Sequence, residues 1–316
     1  MHLALGVRVS MSTIGICRGQ GRLLPPVQVA SHALEMSRTV RVYLPPSYDR
    51  ERSRRFPVLY LHDGQNVFST AGSNACFGWG GWNLDRTVDQ LTAAGQMREI
   101  ILVAVDNIRS RYEEYRGPAW SDGERGGSEV PHREPPASDD RAFRNYAAFL
   151  IRELKPQIDR TYRTLPGAKH TGVLGASLGG ICSLALAWDY PAVFGLAASL
   201  SGSFQIEQTN FLSNVVRGYQ GKPKRLRIYL DSGTLDFTGD DDGHRTTAAV
   251  ADELRRIGWK DGVDLMHFVD EHPLSEAGLA QAGLRRDKWE EARISQHNEF
   301  YWRQRAWRAL TFMYPP

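Results

Sequence analysis

Short apolar runs alternate with amphipathic stretches along most of this chain. Thr39 to Leu44 alternates and stops at Pro45-Pro46, and Phe56 to Leu61 is apolar up to His62-Asp63-Gly64. Ile100 to Val105 is continuous and apolar, the pattern of a strand buried on both faces. Four more strand-like runs follow, at His170–Leu174, Phe194–Leu200, Leu226–Leu230 and Asp264–Val269. Between them lie helical patterns. Trp82–Leu91 is one, and Ala142–Ile158 repeats Phe143, Tyr146, Ala147, Leu150, Ile151 and Leu154 at helical spacing. Gly180–Ala187, Thr246–Ile257 and Glu299–Phe312 complete the set. Strands alternating with helices predict an α/β fold, a mostly parallel central sheet with helices on both faces. The strands before residue 45 are expected to form an antiparallel N-terminal edge.

Two stretches break this rhythm. Residues 116–140 are rich in Gly, Pro and charge and follow the Ile100–Val105 strand; they read either as a loop bordering the site, on the side where open α/β sheets bind ligands, or as a disordered surface insertion. Residues 271–296 are polar and helix-prone, an insertion placed to act as a lid or to decorate a rim. With no internal repeat, the whole span 1–316 is read as one domain with these two insertions.

Composition narrows the function classes. Charge is nearly balanced, 39 basic against 36 acidic residues for a net +3, which argues against nucleic acid and anionic membranes as partners. Cys17, Cys76 and Cys182 make neither a disulfide framework nor a metal motif. No apolar run reaches the ~18 residues of a membrane span. The first residues carry an apolar run interrupted by Arg8, too short for a signal-peptide core, so a cytoplasmic location is expected by default.

Gly175-Ala176-Ser177-Leu178-Gly179 carries the chemistry. It reads G-x-S-x-G between a strand-like run and a small-residue helical run, the context of a nucleophile elbow. The helix that follows directs free N–H groups at the serine, where an oxyanion would form. Serine needs a histidine to take its proton and an acid to orient that histidine, in the chain order Ser, Asp or Glu, His. Four histidines follow Ser177. His267 sits inside a strand-like run, and His244 in an acidic, glycine-rich loop. His297 and His272 both follow the last strand; His297, opening the last helix, is favoured and His272 is its rival. The acid belongs after Leu226–Leu230, where Asp236 lies past the turn and is favoured over Asp231 at the strand end. The run Asp240–Asp242 reads as a solvated turn. Two oxyanion donors are expected, the backbone N–H of Leu178 and that of Gln65 in the loop after Phe56–Leu61. Gly64 lets that loop turn tightly.

These pieces together resemble the esterase D and enterochelin-esterase-like α/β-hydrolases, a group that includes feruloyl and acetylxylan esterases of carbohydrate esterase family one. The matching segments are Arg41–Tyr48, Tyr60–Asn66, Trp79–Trp82, Asp106-Asn107 with Arg111, Glu114 and Tyr115, Gly175–Gly180, Asp231–Thr234, and His297–Glu299 with Trp302. They span over four-fifths of the chain. The resemblance implies the α/β-hydrolase fold and a serine carboxylesterase with no metal or organic cofactor. It carries the nucleophile to Ser177, the base to His297 and, less securely, the acid to Asp236. It further suggests Trp79 and Trp82 as pocket walls, Arg111 as a substrate-side residue, and an Arg111–Glu114 pair as buried scaffold. The expected substrate is a small-molecule or oligosaccharide ester, feruloyl or acetyl in type. The rivals are a siderophore trilactone or S-formylglutathione thioester, for which Arg109, Arg111 and Arg116 would suit an anionic ligand, an acyltransferase, and a catalytically silent binding protein. The oligomeric state is left open.

Overall fold

The computed structural model describes residues 19–118, 140–204 and 211–316. Nine strands form one sheet. In chain order they are β1 (Arg22–Leu23), β2 (Val27–Ser31), β3 (Met36–Leu44), β4 (Val58–Leu61), β5 (Ile101–Val105), β6 (Thr171–Ala176), β7 (Leu196–Leu200), β8 (Arg227–Ser232) and β9 (Leu265–Val269). Across the sheet the order is β1-β3-β5-β4-β6-β7-β8-β9, with β2 also paired to β3. All pairings from β5 to β9 are parallel, while β1, β2 and β5 run antiparallel to β3. The antiparallel N-terminal edge expected from the sequence is therefore present, and the architecture is the α/β-hydrolase fold.

The helices are α1 (Leu84–Ala93), α2 (Arg111–Tyr115), α3 (Arg141–Ala148), α4 (Lys155–Thr161), α5 (Leu178–Asp189), α6 (His244–Ile257), α7 (Glu276–Gln281), α8 (Trp289–Ile294) and α9 (Glu299–Met313). A π-helical stretch, Phe149–Leu154, joins α3 to α4. Side chains alternate across each strand, so one sequence feeds two cores. Val58 and Tyr60 of β4, with Ile101, Val103 and Val105 of β5, face the layer built by α3 to α6. Leu59, Leu61, Leu102 and Ala104 face the opposite layer, where α1 and α9 pack through Leu84, Val88, Ala306 and Leu310. A continuous apolar run is what such a doubly covered strand requires.

The crossover of the chain fixes where a site can form. From β4 the chain moves outward to β5, then returns past β4 to β6. Segments leaving the carboxyl ends of β4 and β6 thus diverge and leave a crevice. The Gly/Pro-rich stretch 116–140 falls largely outside the described residues. Residues 271–296 fold as α7, a 3-10 turn at Arg286–Lys288, and α8. They bury Leu279, Leu284 and Ala292 with Phe300 and Tyr301 of α9 in a small core of their own. Among the described residues no helix is long and apolar enough to cross a membrane.

Candidate active site

Ser177 stands between β6 and α5 with φ 56° and ψ −123°. That conformation is strained for a residue with a side chain, and persists where its surroundings over-determine it. Here the Ser177 N–H donates to the Leu200 carbonyl of β7 at 2.9 Å, and the Ser177 carbonyl accepts from Gly180 N at 2.9 Å. The turn is so tight that a Cβ on Gly175 would lie 2.5 Å from the Gly179 backbone. Small residues at these motif positions are thus a steric requirement.

His297 precedes α9, and Asn298 caps that helix by accepting from Tyr301 N. The cap fixes the direction in which His297 leaves the chain. Its Nε2 lies 2.9 Å from Ser177 Oγ. Its Nδ1 lies 2.6 Å from Oδ1 of Asp242. One face of the ring meets the edge of Trp302 at 5.2 Å, and Trp302 in turn packs on Trp82 at 5.8 Å. His272, the rival base, is exposed. His267 sits in β9 and His244 opens α6, with Nδ1 at 3.5 Å from Ser232 Oγ.

The residue beside His297 is Asp242, not Asp236. Asp236 accepts from Ser295 Oγ at 3.2 Å and from Thr238, so it closes its own loop. The chain delivers Asp242 through two consecutive left-handed residues, Asp242 at φ 53° and Gly243 at φ 69°. Asp and Gly are the residues that adopt this conformation most readily. Oδ2 of Asp242 accepts from Ser201 Oγ at 2.7 Å and from Gly233 N at 2.5 Å. Burial alone would raise this carboxyl; the His297 hydrogen bond and charge, then Arg305 and Ser201, outweigh it and hold the group below the ordinary aspartate range.

Asp231 takes a different part. It is fully buried, accepts from Tyr229 Oη at 2.9 Å, and lies 3.2 Å from Nε of Arg305. Arg305, also buried, stands 3.7 Å from Asp242 and 3.6 Å from Asp270, and donates to Ser201 Oγ at 2.6 Å. One guanidinium is thus shared by three carboxylates. Asp231 receives only part of that charge, so burial wins and its carboxyl is pushed up to about 6.

The segment after β4 runs beside the elbow. His62 N donates to Leu174 O of β6 at 3.2 Å, and a Cβ on Gly179 would touch His62 and Asp63. Gly64 passes so close to β5 that a Cβ would lie 2.7 Å from Val105. Gln65 follows in the 3-10 turn Gly64–Asn66, its side chain accepting from Asn107 N at 3.0 Å. Leu178 is the first residue of α5, so its N–H has no carbonyl one turn earlier in the helix. His62 hydrogen-bonds Tyr146 Oη through Nδ1 at 2.9 Å, and burial lowers it to about 4, so it sits there as a neutral structural ring.

Among the remaining expected residues, one pairing differs from the one the sequence suggested. Arg111 does not pair with Glu114. It forks onto Asp63 at 2.7 and 2.9 Å, while Glu114 takes Arg38 at 2.9 and 2.7 Å. Arg111 is thereby committed to a carboxylate rather than free for an anionic ligand. Trp82 is buried and packs behind Trp302, which meets the His297 ring. Trp79 packs on the small core of the insertion, with Lys288 Nζ 5.0 Å from its ring centre. Three neighbours of the site had gone unnoticed. Ser203 brings its hydroxyl 3.3 Å from Ser177 Oγ, and Ser201 and Arg305 hold Asp242. Among the described residues, no three His, Cys, Asp or Glu side chains gather as a metal-ligand set.

A family model described as "Putative esterase" matches residues 31–264. The chain belongs to the Esterase family. That matched span contains Ser177 and Asp242, while His297 lies beyond it. A Bacillus subtilis protein, YbbA, described as uncharacterized, is 25% identical over 208 residues, 63% of this chain and 68% of its own length. Among solved structures, a ferulic acid esterase superposes with a TM-score of 0.60 at 16% identity, covering 93% of this chain and 98% of that one. The enterobactin esterase of Shigella flexneri gives 0.61 at 18%, covering 92% of this chain and 58% of its own, so this chain spans little more than half of that enzyme. An IroE-like serine hydrolase from Shewanella oneidensis gives 0.57 at 18%, with 87% and 79% covered. At these identities the structures establish a shared fold. Membership of the Esterase family carries a coarse activity, the hydrolysis of esters.

Proposed function

We propose that this member of the Esterase family hydrolyses carboxylic esters through an acyl-enzyme on Ser177. The observation that carries this reading is the unbroken chain from Ser177 Oγ to His297 Nε2 at 2.9 Å and from His297 Nδ1 to Asp242 Oδ1 at 2.6 Å. Ser177 attacks the ester carbonyl while His297 takes the hydroxyl proton. Asp242, kept ionised, holds the imidazole in the tautomer whose Nε2 can accept that proton. The backbone N–H groups of Leu178 and Gln65 are assigned to the tetrahedral oxyanion, the first from the start of α5 and the second from the turn beside it. His297 then returns the proton to the leaving alcohol, and water, activated the same way, releases the acid.

The substrate we favour is an ester of a small acyl group, feruloyl or acetyl in type. Its support is the fold shared with ferulic acid esterases. The test is an ester panel of p-nitrophenyl acetate, butyrate and octanoate, methyl ferulate and a thioester. It is run on wild type, Ser177→Ala and His297→Ala, with product analysis in added alcohol to detect acyl transfer. Turnover of an oxygen ester that both substitutions abolish is the expected result. Turnover that survives Ser177→Ala defeats the serine mechanism, and preference for the thioester defeats the substrate class.

A further inference from the structure

The carboxyl ends of the parallel strands carry the site described above. The opposite edge of the same sheet carries a second feature. A cleft of about 660 Å³ opens there, in the size range of small-ligand sites. Its walls come from the segments that lead into the strands: Arg98 ahead of β5, Lys169 and His170 ahead of β6, and Lys224, Arg225 and Arg227 ahead of or opening β8. Because these strands are parallel, all their entry segments meet at one edge. Three of them bring cations to the same place.

The charge in this cleft is strongly positive. Arg98, Lys169, Lys224, Arg225 and Arg227 are five fixed cations, and Asp264 is the one acidic residue lining the cleft with them. The Asp264 carboxylate is already engaged, accepting from Lys260 N at 2.5 Å. Ion pairs are common on this molecule, yet among the described residues none involves any of the five. Two are anchored on neutral acceptors instead. Lys224 Nζ donates to Trp188 O at 2.7 Å, and Arg227 Nη1 to Phe312 O at 3.1 Å. Such anchoring fixes the position of a cation without itself neutralising its charge, and Asp189, outside the lining, acts on Lys224 alone of the five. Arg98 Nε and His170 Nδ1 are buried polar atoms with no partner. The Arg98 Nε–H, a buried donor without an acceptor, is costly, and a bound anion is one way to supply the acceptor. Burial, then Lys169 and Arg98, hold His170 below the ordinary imidazole range, in keeping with a positive field around it.

From this geometry we propose that the cleft binds a small, multiply charged oxyanion of the phosphate class, at a site separate from Ser177. Pyrophosphate is the minimal ligand of this kind. A nucleoside triphosphate carries the same group, and the cleft volume leaves room for its base and sugar. The guanidinium of Arg227 and the exposed arms of Lys169 and Arg225 would meet the phosphate oxygens, with Arg98 at the inner wall.

The experiment is calorimetric titration of the full chain with pyrophosphate and with ATP at low and at physiological salt. Adenosine serves as the uncharged control. The double variant Lys169→Glu/Arg225→Glu tests the cleft, because both side chains are exposed and unpaired, so folding and ester turnover stay at the wild-type level. Arg286→Glu, an exposed cation in the 271–296 insertion, is the control for a charge reversal outside the cleft. Saturable one-to-one binding of both anions is expected, weakened at least about tenfold in the double variant and unchanged in Arg286→Glu. Equal affinity for the two anions points to the phosphate group alone, and tighter ATP binding to a nucleotide. The proposal is overturned by absence of saturable binding, by binding that the double variant retains, or by equal weakening in Arg286→Glu. Because ester turnover is read in the same samples, a failure here is distinguishable from a failure of the catalytic reading.

Discussion

Assigning the acid of the proposed mechanism to residue 242 is the sharpest consequence of the site geometry. Asp242 touches His297, whereas Asp236 touches Ser295 and Thr238. Asp242→Asn would leave the imidazole in the wrong tautomer, and is expected to lower kcat by about 10³- to 10⁴-fold. Asp236→Asn is expected to stay within a few fold of wild type. Steady-state hydrolysis of p-nitrophenyl acetate by the two variants decides between them. Ser177 and His297 were legible as a pair, because strand–turn–helix context and chain order narrow the choice of each. Asp242 was not. Three aspartates in a row, Asp240–Asp242, look like a solvated turn, and only the reversal of the backbone at Asp242 and Gly243 turns the last of them inward. The Asp-Gly pair directly ahead of α6 was the available signal, since that pair favours left-handed backbone.

At the level of elements, α9 does more than cover the sheet. Its start delivers His297, its second turn supplies Trp302 behind the ring, and Arg305 one turn later reaches Asp242, Asp231 and Asp270. A single apolar and polar stripe on one helix therefore aligns base and acid together. Removing the guanidinium would leave buried carboxylates without their counter-charge. Arg305→Met is expected to destabilise the protein by about 3–5 kcal/mol, read as a lower midpoint in urea unfolding. The strands and long helices were readable from periodicity to within a few residues, because burial on both faces leaves no room for polar positions in β4, β5 and β6. Side-chain partners between elements were not readable. Arg111 chose Asp63 and Glu114 chose Arg38, across distances in sequence that no local pattern encodes. The ring that Trp82 packs against, Trp302, likewise lies 220 residues further along.

On the scale of the whole molecule, the parallel part of one sheet presents the proposed catalytic site at the carboxyl ends of its strands and the cationic cleft at their opposite ends. The buried carboxyl of Asp231 couples stability to pH. Its folded value is raised to about 6, above the ordinary aspartate value of about 3.9, so its favourable contribution is complete below the latter and is lost as the pH rises through the former. Between pH 4 and 6, wild type is therefore expected to lose stability relative to Asp231→Asn, measured by urea unfolding of both at each pH. The central claim, an acyl-enzyme on Ser177, is tested most directly by treating the protein with a fluorophosphonate and locating the adduct by peptide mass spectrometry. One adduct is expected, on the peptide containing Ser177, absent in Ser177→Ala and formed far more slowly in His297→Ala and Asp242→Asn. An adduct on another residue, or undiminished labelling in Asp242→Asn, would contradict it.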